Sequence, residues 1–398
     1  MTPLFVEPLA PRSILVICTG RIGDVLLSTP VVRSLKLRWP GTKIDMLVFD
    51  GTAGALQNNP DIRHVISVPR RTTISERFAT IRQIWRRYDL ACTLRSSSVA
   101  TFYCWMAGRK RIGVVPPSGK DWFRRRLLNH FAVEHDRSAH VVESSALLMS
   151  LLGIPACFDV VPPGVGNESG KLKRLDQLLT CGGSSSFVVV HTYPKFTYKM
   201  WHVEGWVSVI RFARSHGYAI VLTGGPAPAE VLYTQNVASR AGGDVINLAG
   251  KLSFGETAEV IRRASLFVGP DTSVSHVAAA TGIPTIVLFG PSNPVRWGPW
   301  PKGWSGRSPW KLVGSGQKGN VYLVQGTAAC VPCQREGCGK SIHSSSDCLQ
   351  NLDAHRVIEA AAKLLRVASR ETVGIPVVAQ APGDMSNPVT LSKILGKP

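Results

Sequence analysis

Hydrophobic and polar positions alternate along the chain in two recurring patterns: short all-apolar runs, and longer stretches with an apolar residue every three or four positions. The apolar runs "SILVICTG", "KIDMLVF", "HVISVP" and "DLACTLRSS" predict strands buried on both faces. Between them, "DVLLSTPVVRSLKLRWPG" predicts one amphipathic helix with a Pro-Gly stop, and "ISERFATIRQIWRRY" predicts another. Strands and helices follow each other at roughly thirty residues per unit, the spacing of a parallel sheet covered by helices. The alternation runs to "ESSALLMSLLGIP".

From about 156 to 186 the composition changes, with "PPGVGNESGK" and "CGGSSS" flanking one short polar helical segment. The same grammar then restarts: strands "FVVVHTYP", "AIVLTGG", "DVINLAG", "SLFVG" and "TIVLFG" alternate with helices "VEGWVSVIRFARSHG", "AEVLYTQNVASRAGG", "FGETAEVIRRA" and "VSHVAAATG". The expected organisation is therefore α/β, two doubly wound parallel-sheet domains at 1–165 and 166–370 facing a cleft, with a linker near 165. "DAHRVIEAAAKLLRVAS" predicts a last helix, and 371–398, with scattered Pro and Gly, a loosely ordered tail.

Composition narrows the class. The 398 residues, 44% hydrophobic, contain no apolar run approaching a membrane span, as expected of a globular protein with two cores. The start "MTPLFVEPLAPRS" lacks a basic segment followed by an apolar one, so no secretory signal is read there and a cytoplasmic location is expected. The formal charge is +20, and residues 61–130 carry fifteen Lys or Arg against four Asp or Glu. So local an excess points to a polyanionic partner: nucleic acid, anionic lipid headgroups or a phosphorylated glycan. Of nine cysteines, Cys18, Cys92, Cys104, Cys157 and Cys181 are scattered and read as reduced thiols. Cys330, Cys333, Cys338 and Cys348 form C-x2-C-x4-C-x9-C with His343 inside, a spacing that predicts a structural zinc or iron site or a redox staple, with no catalytic role.

The candidate chemistry lies where strands hand over to helices. "VGPDTSVSHVAAATGIP" places Asp271, Thr272, Ser273 and His276 at a helix start, where either side-chain capping or anion binding by free amides accounts for them. In "CTGRIGDVLLSTP", Asp24 follows a turn through Gly20 and Gly23; in "VVVHTYPKFTYKMW", Lys195 and Lys199 follow a strand; in "TGGPAPAE", Glu230 opens a helix. Each alone is an ordinary cap or loop lysine. Together they describe a nucleotide-sugar site, with amides and Lys for a diphosphate, one carboxylate for ribose and an opposing carboxylate to take a proton.

These segments, with "LAGKLSFGETAEVIRRASLFVGPDTSVSHVAAATGIPTIVLFGPSNP" and "CVPCQREGC", resemble in order the motifs of glycosyltransferase family 9, the ADP-heptose:lipopolysaccharide heptosyltransferases, over about residues 12–365. The resemblance implies a GT-B fold and inverting transfer of heptose from ADP-heptose, with no cofactor or metal required, to the Kdo or heptose of the lipopolysaccharide inner core. It implies Asp24 as general base, Lys199 and the Thr272 and Ser273 amides on the diphosphate, Glu230 on the ribose, Leu252 on adenine and Asp271 on the heptose, with His276 behind them. The basic stretch, represented by Arg95, Arg124, Arg125 and Arg126, is then expected to meet the phosphorylated acceptor and the anionic inner-membrane surface, and no nucleic acid partner is expected. The family usually has Asp-Thr-Gly where this chain has Asp271-Thr272-Ser273, and a glycine after the strand that here continues as "HTYPKF". Another nucleotide sugar or a protein acceptor is the alternative; a basic zinc-knuckle protein that binds nucleic acid is a distant one, since it leaves the carboxylates unexplained.

Overall fold

The computed structural model describes residues 10–71, 73–94, 97–115, 122–133, 139–180 and 186–367. A first sheet is built from β1 (Ser13–Cys18), β2 (Lys43–Phe49), β3 (His64–Val68), β4 (Tyr88–Thr93), β5 (Gly108–Val115) and β6 (His130–Val133), in the order β3-β2-β1-β4-β5-β6. Every neighbouring pair is parallel, with Val16 opposite Met46 and Cys92 on its two sides. The second sheet holds β7 (Phe187–His191), β8 (Ala219–Thr223), β9 (Val245–Asn247), β10 (Leu266–Pro270), β11 (Thr285–Phe289), β12 (Gly316–Lys318) and β13 (Val321–Gln325), ordered β12-β13-β11-β10-β7-β8-β9. There only β12 is antiparallel, forming a hairpin with β13 at the edge.

The helices in the first half are α1 (Ile22–Leu26), α2 (Thr29–Arg38), α3 (Ile74–Ile84), α4 (Ser98–Ala107), α5 (Trp122–Leu127) and α6 (Val141–Leu152), with α7 (Ser169–Leu179) leading to the second sheet. The second half adds α8 (Val203–Ser215), α9 (Pro228–Ala241), α10 (Phe254–Arg262), α11 (Ser273–Thr281), α12 (Pro294–Trp297), α13 (Asp347–Gln350) and α14 (Ala354–Leu365). The single helix expected from Asp24 onward is two. Pro30 has no N–H to give, the Ser28 and Thr29 hydroxyls donate back to the Val25 and Leu26 carbonyls, and the chain restarts as α2. Residues 371–398 lie outside the described residues.

Strand order reverses direction between β1 and β4 in one sheet and between β7 and β10 in the other, which leaves a crevice at the carboxyl ends of those strands. The halves meet there along a packed seam: one apolar core takes in Leu26, Leu27 and Leu56 from the first half with Leu248, Ala258 and Val277 from the second. His140 Nε2 lies 2.8 Å from the Gly298 carbonyl across the seam, and Phe158 stacks on Trp300.

Candidate active site

The crevice is a cavity of about 1160 Å³. On the wall from the first half, β1 runs into a tight turn and Asp24 falls in the first turn of α1. Its carboxylate Oδ2 accepts the Arg21 N–H at 2.8 Å, so the carboxylate is held by the same backbone that caps the helix. Residue 20 has to be glycine here, because a Cβ would stand 2.6 Å from Asp24 Cβ. The same device recurs at Glu230 in the first turn of α9: the Gly225 N–H donates to Oε2 at 2.6 Å, and a Cβ on Gly225 would collide with that oxygen. Burial raises the Glu230 pKa, and the Gly225 bond offsets part of that.

The opposite wall is the head of α11. The capping alternative fails here. Thr272 is the N-cap residue but makes no side-chain capping bond, and its buried hydroxyl has no hydrogen-bond partner. Asp271 turns instead to Lys199, whose Nζ donates to its Oδ2 at 2.5 Å. The first-turn amides are therefore left without a carboxylate, as an anion site requires. Burial, joined by the Lys199 ammonium, outweighs the Asp271 and Asp24 carboxylates at buried His276 and lowers its pKa to about 4, so its ring is neutral. Asp24 from one wall and Lys199, Asp271 and His276 from the other thus line one cavity. Leu252, Phe254 and Thr257 also line the cavity.

All eight residues expected around the donor and the base, Asp24, Lys199, Glu230, Leu252, Asp271, Thr272, Ser273 and His276, line this one cavity. Lys195 does as well. The arginines do not gather there: Arg124 reaches Ser98 Oγ at 3.1 Å, Arg125 lies over Phe131, Arg126 is exposed on α5, and Arg95 lies outside the described residues. The cavity takes its cations from elsewhere. Arg21 stacks over Phe196 at 4.7 Å, spanning from one half to the other, and Phe196 in turn stacks on Tyr198. Arg70, at the end of β3, donates to the Gly20 carbonyl at 3.2 Å and lies over Phe49. Arg335 enters from the cysteine-rich loop. The readable signal for these was position: Arg21 and Arg70 each stand at the carboxyl end of a predicted strand.

A family model described as glycosyltransferase family 9 (heptosyltransferase) matches residues 77–306. The chain belongs to glycosyltransferase family 9. It is accordingly a glycosyltransferase. Among curated family 9 relatives, lipopolysaccharide heptosyltransferase 3 of Escherichia coli is 29% identical over 286 residues, covering 70% of this chain and 83% of that one. Among solved structures, family 9 glycosyltransferase from Veillonella parvula superposes with a TM-score of 0.71 at 19% identity, covering 89% of this chain and 97% of that one. E. coli ADP-heptose lps heptosyltransferase II superposes at 0.66, 18% identical, over 89% and 98%. The GT-B expectation is met by these neighbours and by the two parallel-sheet halves.

The family 9 chain carries its cysteine cluster in the loop whose Gln334, Arg335 and Glu336 line the cavity. Cys330, Cys333, Cys338 and Cys348 are all free thiols, and burial followed by the neighbouring Cys333, Cys330 and Cys338 pushes Cys348 up to about 11. Among the described residues no three or more Cys, His, Asp or Glu are grouped to hold a metal ion. Zinc or iron binding would require the 330–348 loop to close around the ion. Cys181 lies outside the described residues.

Proposed function

We propose that the chain transfers heptose from ADP-heptose to the Kdo or heptose of the lipopolysaccharide inner core, by a single inverting displacement that uses no metal. The observation that carries this reading is that Asp24 from one wall and the hydrogen-bonded Lys199–Asp271 pair from the other line one cavity. Asp24 takes the proton of the acceptor hydroxyl as the oxygen attacks the anomeric carbon from the face opposite the leaving group. Charge developing on the departing ADP is met by Lys199 and the Thr272 and Ser273 amides, fixed donors in a partly enclosed site. Glu230 holds the ribose, Leu252 packs on adenine, and Asp271 binds heptose hydroxyls. Arg21 and Arg70 face anionic groups of the acceptor, whose lipid end places the enzyme at the cytoplasmic face of the inner membrane.

A heptose transferred from ADP-heptose agrees with the likeness to heptosyltransferase 3 and to the ADP-heptose enzyme above. Thermal-shift and calorimetric titration with ADP, UDP, GDP and ADP-heptose tests it, because a ligand bound only by the folded state raises stability. Selective stabilisation by ADP and ADP-heptose is the expected result. A preference for UDP or GDP overturns the donor, and binding of none overturns the site.

A further inference from the structure

In the first sheet the chain passes from β3 to β4 to β5 to β6 in one direction, so right-handed crossovers put α3, α4 and α5 on the same face. They touch in that order over one core, which includes Ile84, Tyr103, Cys104 and Leu128, and Arg124 of α5 ties to Ser98 of α4. Outward from this face stand Ile74, Phe78, Val99, Phe102, Trp122 and Phe123, with Ile74 77%, Phe78 68%, Trp122 66% and Phe123 56% exposed. All six lie in the first or second turn of their helices. In a parallel sheet these turns lie at the carboxyl ends of the strands, the edge that also carries Asp24 and Arg70. Large apolar side chains rarely gather on a solvated surface without a partner.

The charge beside them identifies the partner. The three helices carry five arginines, Arg77, Arg82, Arg124, Arg125 and Arg126, and one carboxylate, Glu76, which is drawn back onto the Thr73 N–H at 2.8 Å. A second copy of this chain would set arginines against arginines. Aromatic rings among cations suit an anionic bilayer, where rings settle at the headgroup level and arginines meet lipid phosphates. We infer that the exposed face of α3, α4 and α5 inserts its aromatic side chains into an anionic lipid bilayer, beside the acceptor side of the cleft. This deepens the proposed function and rests on it for one point, that a lipid-borne acceptor then rises from the membrane toward Asp24.

The full chain is mixed with acceptor-free vesicles of phosphatidylethanolamine and phosphatidylglycerol, some with brominated acyl chains, and with phosphatidylcholine vesicles as the neutral control. The expected result is partition onto the anionic vesicles, weakened by salt, with tryptophan fluorescence quenched by the brominated chains. The double substitution Trp122→Ser, Phe123→Ser should lower partition by about tenfold while the melting temperature and ADP stabilisation stay as in the parent chain. Should that pair disturb folding, Ile74→Ser, Phe78→Ser should show the same loss. Absence of binding, binding without quenching, or substituted chains that bind as the parent does would overturn the inference. So would a dimer in sedimentation that the same substitutions dissolve, which would assign the face to a second copy. Because the vesicles hold neither donor nor acceptor, a failure here leaves the ADP titration, and the transferase reading, to be judged separately.

Discussion

Asp24 does two things with one carboxylate: it accepts the Arg21 N–H and it faces the cavity. Replacing it with Asn separates them, since the amide oxygen can still accept that bond but the side chain no longer takes up a proton. Asp24→Asn is therefore expected to lower kcat by about 10²–10⁴-fold with donor affinity intact, read by steady-state kinetics beside calorimetry with ADP. A rate close to that of the parent chain would take Asp24 out of the base's role. Glu230 and Asp271 could be found in the sequence for the same reason as Asp24: short acidic side chains stand out where an apolar strand gives way to a helix. What the sequence left undecided at Asp271 was its partner. Local spacing favoured capping as much as binding, and only the approach of Lys199, seventy-two positions away, draws the carboxylate off the helix end. Arg21 and Arg70 escaped notice because their one signal, a place at the carboxyl end of a strand, does not stand out in so basic a chain; a ring from another element, such as Phe196 beneath Arg21, gives such an arginine its place.

At the level of elements, the buried parallel strands were the most legible feature, because β1, β2, β7, β10 and β11 are near-continuous apolar runs. β5 is harder to see: its first residues, "GRKR", are charged, and only Ile112–Val115 is buried throughout. In the edge hairpin, β12 was missed because a three-residue strand has no period to read, and the five-residue β13 because no helix separates it from β12 to continue the strand–helix alternation. The loop holding Cys330, Cys333, Cys338 and Cys348 was legible as a cluster but not as a geometry. Gln334 of this loop donates its N–H to the Pro291 carbonyl at 2.8 Å, and Gln334, Arg335 and Glu336 line the cavity. We propose that this loop serves as a structural zinc or iron site or as a redox staple; about one equivalent of either metal in elemental analysis of anaerobically purified protein would select the metal, for which the loop has to close from the arrangement described. Finding neither would leave four free thiols, open to alkylation in the native chain to the extent that each is exposed.

For the molecule as a whole, three buried imidazoles among the described residues set an acid limit. Burial, as the largest cause, lowers His276 and His191 to about 4 and His140 to about 3. In the unfolded chain each titrates near the ordinary histidine value of about 6.5. Between those values the unfolded state binds more protons than the folded one, so stability is full above about pH 6.5 and is lost as pH falls toward 4. At about pH 5 each histidine lowers stability by on the order of 2 kcal/mol, together a sizeable share of an ordinary folding free energy. Urea midpoints measured across that range should fall steeply; a flat profile would mean that these rings are protonated in the folded chain.

The seam between the two halves has an evolutionary meaning as well. Because Leu26, Leu27 and Leu56 share one apolar core with Leu248, Ala258 and Val277, and His140 reaches the Gly298 carbonyl, the halves are not interchangeable modules. A chimera that joins the first half of this chain to the second half of a relative would inherit mismatched residues on both sides of that seam. Acceptor specificity can therefore be transplanted only as a graft of surface loops, or together with the residues that pack across the join.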